Sequence, residues 1–284
     1  MINIKTICVC GAGTMGSGIT QVSAQAGFRT IQFDLNPEMV EKSKQFIRTG
    51  LVKLVEKGKL TAAEQENIMN RILFTADIQD CKADMIIEAI IEKKDAKISL
   101  FQNLSAINTS ETILATNTSS ISVTEIAEAM PHPERVVGMH FFNPAPLMKL
   151  VEVIETEKTS PVIIEQTIAI TKQMQKTPVL CKDVPGFIVN RVARHYYLEA
   201  MRFVEKDQAD IATIDQLMEA SGFKMGPFKL MDLIGMDINY GVSNIVWEAL
   251  GKPLRLTPSS VQRAKVEAGE LGRKTGKGFY DYGV

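Results

Sequence analysis

A chain of 284 residues, 45% hydrophobic and 23% charged, is long enough for two modest domains and too evenly mixed for a disordered or low-complexity protein. Its 32 Lys and Arg stand against 33 Asp and Glu, so the net charge of −1 gives no electrostatic footprint for nucleic acid or an anionic membrane. No apolar run approaches the roughly 20 residues that cross a bilayer.

The N-terminal Met1-Ile2-Asn3-Ile4-Lys5 has none of the basic, apolar and small-residue regions of a signal peptide, and it runs directly into a predicted strand. Cys8 and Cys10 share one face of that strand, where a mutual disulfide is sterically awkward, and Cys81 and Cys181 stand apart in sequence. Four unpaired thiols imply a reducing compartment, so the expectation is a cytoplasmic protein.

Short apolar runs then alternate with helical spacing. Ile4–Cys10, Thr30–Asp34, Ile72–Thr75, Met85–Glu88, Ile113–Thr116, Val136–Phe141, Leu150–Glu155 and Pro178–Cys181 are predicted strands. Met15–Ala26, Pro37–Lys57, Thr61–Asn70, Lys93–Ile107 and Pro161–Gln175 are predicted helices. The alternation implies an α/β fold: a Rossmann-like, mostly parallel sheet whose strands are covered on both faces. Residues 36–70 exceed what one crossover helix needs, and Lys57-Gly58-Lys59 divides them into the two limbs of an inserted helical arm. After Asp183-Val184-Pro185-Gly186 the texture becomes helical, with helices expected at Phe187–Glu205, Ile211–Ser221, Gly226–Leu250 and Ser259–Ala268. The expected domains are 1–184 for dinucleotide binding and 185–284 as an all-α C-terminal domain.

Gly11-Ala12-Gly13-Thr14-Met15-Gly16 ends the first strand and opens the first helix. Gly11 permits a tight turn, Gly13 lets backbone approach a pyrophosphate, and Gly16 allows close helix–strand packing. Asp34, closing the second strand, is placed to accept the adenosine ribose hydroxyls. The following Leu35-Asn36-Pro37 offers no cation for a 2′-phosphate, and Asp34 would repel one, so NAD is expected over NADP.

The chain has three histidines. His132 sits in the turn Met130-Pro131-His132-Pro133, and His195 lies inside a helix beside Arg194, where a packing role suffices. His140 ends an apolar strand, and Glu152 is embedded in Leu150-Val151-Glu152-Val153-Ile154, where a charge is costly unless paired. The turn-rich stretch Asn143–Met148 lies between them. Folding back about Pro146 sets His140 opposite Glu152, within side-chain reach. A carboxylate beside an imidazole fixes its tautomer and favours its protonated form, which suits a group acting as both base and acid.

At this point the motifs resemble those of the L-3-hydroxyacyl-CoA dehydrogenases. The resemblance rests on Gly11–Gly16, Ala115–Ser120, Gly138–Pro146, Lys149–Glu152, Pro185–Arg191 and Leu271–Tyr282, in order along the whole chain. Within that family it is similar to the bacterial hydroxybutyryl and hydroxyadipyl types. The resemblance implies a catalytic pair of His140 and Glu152, with Ser119 and Asn190 hydrogen-bonding the substrate oxygens. For the cofactor NAD it implies Gly11, Gly13, Thr14, Met15, Gly16, Asp34, Glu92, Lys97 and Asn117. Lys53 and Lys57, four apart on the arm, would meet the phosphates and pantetheine of an acyl-CoA substrate. It also implies a homodimer through the C-terminal domain, and no metal.

The expected reaction interconverts 3-hydroxybutyryl-CoA and acetoacetyl-CoA, because no local cluster of Arg or Lys awaits a terminal carboxylate on the acyl tail. The alternatives are a 3-hydroxyadipyl-CoA dehydrogenase and a silent structural member of the family. A dehydrogenase acting on a free 3-hydroxy acid would be expected to use a lysine in place of the His–Glu pair. Ser119 or Ser120 is also a candidate N-cap for a helix near Val123–Ala129.

Overall fold

The computed structural model describes residues 4–283, so Met1, Ile2 and Asn3, read above as leading into the first strand, lie outside the described residues. The chain divides into two compact units, the first ending at Asp183 and the second beginning at Val184. The expected division was between 184 and 185.

The first unit begins β1 (Thr6–Cys10), α1 (Thr14–Gln25), β2 (Arg29–Phe33), α2 (Pro37–Glu56), α3 (Ala62–Asn70) and β3 (Ile72–Thr75). It continues with β4 (Met85–Glu88), α4 (Lys94–Ile107), β5 (Ile113–Thr116), α5 (Val123–Glu128) and β6 (Val136–Phe141), and ends with β7 (Leu150–Glu155), α6 (Pro161–Gln173) and β8 (Thr177–Lys182). The strands form one sheet in the order β3-β2-β1-β4-β5-β6-β7-β8. Pairings from β3 through β6 are parallel, β6–β7 is antiparallel, and β7–β8 is parallel again. β4, β5 and β6 are buried along their whole length, as their unbroken apolar runs require. Strand order reverses between β1 and β4, the crevice where folds of this kind gather ligands at the carboxyl ends of their strands.

α2 and α3 form the inserted arm, turning at Gly58 with φ +66°. Asn36 caps α2, and a reciprocal Thr61–Glu64 capping box starts α3. The arm packs on α1 through a small core of Ile47, Leu51 and Ile68 with Ala24 and Ile72. α5 is capped by Ser122, not by Ser119 or Ser120: the Ser122 side chain accepts from the Glu125 amide. Ser122 Oγ and the Thr124 amide in turn both donate to Asp183 at 2.7 Å. Cys81, expected to stand alone, lies beside Cys8 and Cys10, whose sulfurs are 3.8 Å apart, and its thiol reaches the Asp77 carbonyl at 4.0 Å.

The second unit is helical: α7 (Val189–Glu205), α8 (Ile211–Ala220), α9 (Pro227–Ile234), α10 (Met236–Ala249) and α11 (Ser260–Glu267). Its core gathers Leu198, Met201, Phe228, Met231, Met236 and Val246. The single helix expected over Gly226–Leu250 is two, broken at Gly235, whose φ of +102° no helix accommodates. The Leu271–Tyr282 motif is held down by two buried carboxylates. Asp232 accepts from the Phe279 and Tyr280 amides and the Tyr282 hydroxyl, and Asp215 accepts from the Tyr280 hydroxyl at 2.8 Å. A methyl group at Gly272 or Gly278 would run into Asp232, so the glycines of this motif are packing requirements.

Candidate functional site

The carboxyl edge of the sheet collects Gly11 after β1, Asp34 after β2, Glu88 at the end of β4, Thr116 at the end of β5 and His140 near the end of β6. At the glycine turn, Gly11 has φ +105°, and a methyl on Gly16 would collide with the Gly11 carbonyl. A methyl on Gly13 would meet nothing within 4 Å, so the turn opens to a ligand at the start of α1. Asp34 lies against it, accepting from the Ala12 amide at 2.8 Å and the Asn36 amide at 3.0 Å. The neighbouring Leu35 is exposed. This cradle fits a dinucleotide diphosphate with an acidic ribose contact.

A buried polar support lies beneath the turn. Buried Gln32 donates to the Gly11 carbonyl at 2.8 Å and accepts from Thr20 and Ser43, and Ser17 bridges Ser43 to the turn. Its only signal in the sequence is polar residues inside an otherwise buried strand and helix.

His140 and Glu152 are paired directly in the β6–β7 ladder. His140 Nδ1 lies 2.8 Å from Glu152 Oε2, and both side chains are buried. With a carboxylate as acceptor, Nδ1 carries the hydrogen and the imidazole is fixed in one tautomer. Phe142 tilts against the imidazole with centroids 4.6 Å apart. The turn from β6 to β7 is pinned by Lys176, whose ammonium donates to the Ala145 carbonyl at 2.6 Å and the Met148 carbonyl at 2.9 Å. Burial, then the nearby Lys149, push the Lys176 pKa down.

The turn after β5 sits beside this pair. The Asn117 side-chain carbonyl accepts from the Phe141 amide at 2.8 Å, adjacent to His140. Glu92 accepts from Thr118 Oγ1 at 2.6 Å, the Ser119 amide at 2.9 Å and Ser120 Oγ at 3.0 Å. Lys97 is buried, its ammonium 2.6 Å from Glu88 and 3.1 Å from Glu92. Burial raises the Glu92 carboxyl, yet the Lys97 charge and the Thr118 and Ser119 hydrogen bonds outweigh it and hold it below the ordinary carboxylate value. The structure thus brings Glu92, Lys97, Asn117 and Ser119 together at one turn.

Lys53 and Lys57 are exposed at the C-terminal end of α2, on the arm. Asn190 is in the second unit, in the first turn of α7, where its backbone carbonyl accepts from the Arg194 guanidinium at 3.0 Å. Among the described residues no group of His, Cys, Asp and Glu could hold a metal, and no helix is long and apolar enough to cross a membrane.

A doubly wound dinucleotide fold with a buried His–carboxylate pair at the carboxyl edge of its sheet defines an NAD-dependent dehydrogenase. The family description "3-hydroxyacyl-CoA dehydrogenase, NAD binding domain" matches residues 6–184, and "3-hydroxyacyl-CoA dehydrogenase, C-terminal domain" matches residues 186–282. The chain belongs to the 3-hydroxyacyl-CoA dehydrogenase family. It is 44% identical to a 3-hydroxyadipyl-CoA dehydrogenase of Escherichia coli strain K12, over 99% of this chain and 60% of that longer relative. It is 42% identical to a probable 3-hydroxybutyryl-CoA dehydrogenase of Bacillus subtilis strain 168, over 99% of this chain and 98% of the relative. The crystal structure of (S)-3-hydroxybutyryl-CoA dehydrogenase PaaH1 from Ralstonia eutropha superposes with a TM-score of 0.95 at 36% identity, covering 99% of this chain and all of that one.

Proposed function

We propose that this protein interconverts (S)-3-hydroxybutyryl-CoA and acetoacetyl-CoA with NAD, using His140 as the proton-transfer group. The observation that carries the proposal is the buried 2.8 Å His140–Glu152 contact, set beside a dinucleotide cradle on the same sheet edge. In the oxidative direction His140 Nε2 takes the hydroxyl proton while Glu152, across the ring, stabilises the imidazolium. Ser119 and Asn190 hold the substrate oxygens. The nicotinamide's contribution is to accept the hydride leaving C3. The glycine turn, with Thr14 and Met15 opening α1, holds the diphosphate, Asp34 the ribose, and Asn117 and Glu92 the nicotinamide end. Lys97 serves that end from beneath, through Glu92. Mixing the protein with acetoacetyl-CoA and NADH and following NADH absorbance tests the proposal, and absence of NADH consumption overturns it. Running 3-oxoadipyl-CoA in parallel decides the acyl tail, the second reading favoured by the Escherichia coli relative's name.

Cofactor choice follows from Asp34. Replacing Asp34→Ser together with Leu35→Arg exchanges a repelling anion for a cation at the 2′-position. The NADPH-to-NADH ratio of kcat/KM should rise at least about tenfold, the scale of one charge-assisted contact. A native preference for NADPH would refute this role for Asp34.

Lys53 and Lys57 act as point charges for the CoA phosphates. Changing both to Ala should raise KM for acetoacetyl-CoA severalfold, more at low salt, where surface charges are least screened. A truncated acetoacetyl thioester lacking the nucleotide should be affected little; equal damage to both substrates would remove the assignment.

The protein functions as a homodimer through its second unit, which exposes Val192, Leu217, Phe223, Ile238 and Leu254. Sedimentation equilibrium checks this. A cytoplasmic location is supported by its four free, buried cysteines.

A further inference from the structure

Glu88 ends β4 and was read from the sequence only as a strand terminus. Its carboxylate is completely buried, yet each oxygen has a donor. Oε1 accepts from the Lys97 ammonium at 2.6 Å and the Ile90 amide at 2.7 Å, and Oε2 accepts from Thr116 Oγ1 at 2.7 Å. Its backbone carbonyl accepts from the Asn117 amide at 2.8 Å. One residue therefore meets the β5 turn twice, at Thr116 and at Asn117. It meets the rest of the turn through an ionic relay.

That relay has one cation and two carboxylates. Lys97 is enclosed between Glu88 and Glu92, and the two acids differ in setting: Glu88 is sealed in, whereas the Glu92 side chain is 36% exposed at the site. Glu92 divides its oxygens. Oε2 faces Lys97, and Oε1 takes Thr118, Ser119 and Ser120. A buried ammonium draws in whatever carboxylate it can reach when its nearer partner is lost. With Glu88 charged, Lys97 has its closest partner inside the fold, and Glu92 stays aimed outward at the turn.

We propose that Glu88 is a positioning residue for the reaction: by occupying Lys97 it leaves Glu92 to fix the Thr118–Ser120 turn, and with it Ser119 beside the substrate oxygen. The inference rests on the substrate role given to Ser119 above. Glu88→Gln keeps shape and volume and removes the charge, so Glu92 becomes the sole carboxylate partner of Lys97 and swings toward it. The Ser119 amide and hydroxyl then lose Glu92 as an acceptor.

The test measures kcat/KM for acetoacetyl-CoA at saturating NADH in four proteins: wild type, Ser119→Ala, Glu88→Gln and the double variant. Thermal unfolding is followed alongside. Glu88→Gln should lower kcat/KM about tenfold in the wild-type background, the scale of a coupled sub-ångström misplacement. In the Ser119→Ala background the same change should cost at least about threefold less than in wild type, because the route through Ser119 is already gone and what remains is the shift of Glu92 at the nicotinamide end, read separately from KM for NADH. A purely structural role would give equal losses in both backgrounds, and that result overturns the inference. So does a loss below about threefold in wild type. If Ser119→Ala alone leaves kcat/KM intact, the substrate role of Ser119 fails first, and that outcome is read from a protein in which Glu88 is untouched. Should Glu88→Gln not fold, Glu88→Asp retains the charge on a shorter stem and takes its place, with a smaller loss and the same dependence on Ser119 expected.

Discussion

Replacing His140 with Ala is expected to lower turnover of acetoacetyl-CoA by about two to four orders of magnitude, the usual worth of a positioned proton-transfer group. The dissociation constant for NADH, measured by its fluorescence, should stay within about twofold, since Asp34 at the cradle is held by the Ala12 and Asn36 amides while the imidazole is held by Glu152. The Ala variant has a second consequence. Glu152 is fully buried, and removing the imidazole takes away its ionic partner at 2.8 Å, a loss of the kind that costs about 3–5 kcal/mol. Its Tm should fall. His140→Gln separates the two effects, because a side-chain amide can still donate to Glu152 while transferring no proton. Gln should therefore restore most of the Tm and none of the turnover. A loss below tenfold in both variants would withdraw the role of His140.

The His–Glu register was legible because two apolar strands flank a turn of Asn, Pro and Ala, and the charge embedded in the apolar run Leu150–Ile154 falls where a hairpin puts it opposite the histidine. The glycine turn was legible for a similar reason: its three glycines stand at a strand-to-helix junction, and the structure uses Gly11, Gly13 and Gly16 differently, for φ, open space and packing. What was not legible depends on contacts distant in the chain. Glu88 looks like any strand terminus until Lys97 and Thr116 close on it. The grouping of Cys81 with Cys8 and Cys10 needs β1 and the segment before β4 to be adjacent. The break at Gly235 was missed because apolar spacing runs on through Met231 and Met236, so only the positive φ ends α9. Ser122 was passed over as the α5 cap because three serines crowd one turn, and its neighbours Ser119 and Ser120 are committed to Glu92 instead.

Glu152→Gln should slow turnover by about two orders of magnitude with little change in KM for either substrate, because the carboxylate acts through the ring and touches neither reactant. Glu152 lies between buried Val151 and Val153 in β7, opposite His140 on one side and Val179 on the other. A carboxamide fits the same space. In one orientation its oxygen accepts the Nδ1 hydrogen and keeps the tautomer, and in the other its NH2 meets that hydrogen and turns the tautomer over. Even the better orientation lacks the charge that stabilises the imidazolium formed when His140 gains a proton. Stability should change little, since the hydrogen bond survives and a buried charge is gone. Glu152→Ala differs: it leaves the Nδ1 hydrogen without its acceptor, at a cost of about 1–3 kcal/mol, and empties part of a close-packed strand face. The distinguishing measurement is the double variant His140→Ala with Glu152→Gln. If Glu152 works only through His140, the second substitution should slow the His140→Ala protein no further, and it should recover part of the lost Tm by removing a buried charge whose imidazole partner is gone. Unaltered turnover in the single Gln variant, or a further hundredfold loss in the double, would show that Glu152 does not act through the imidazole.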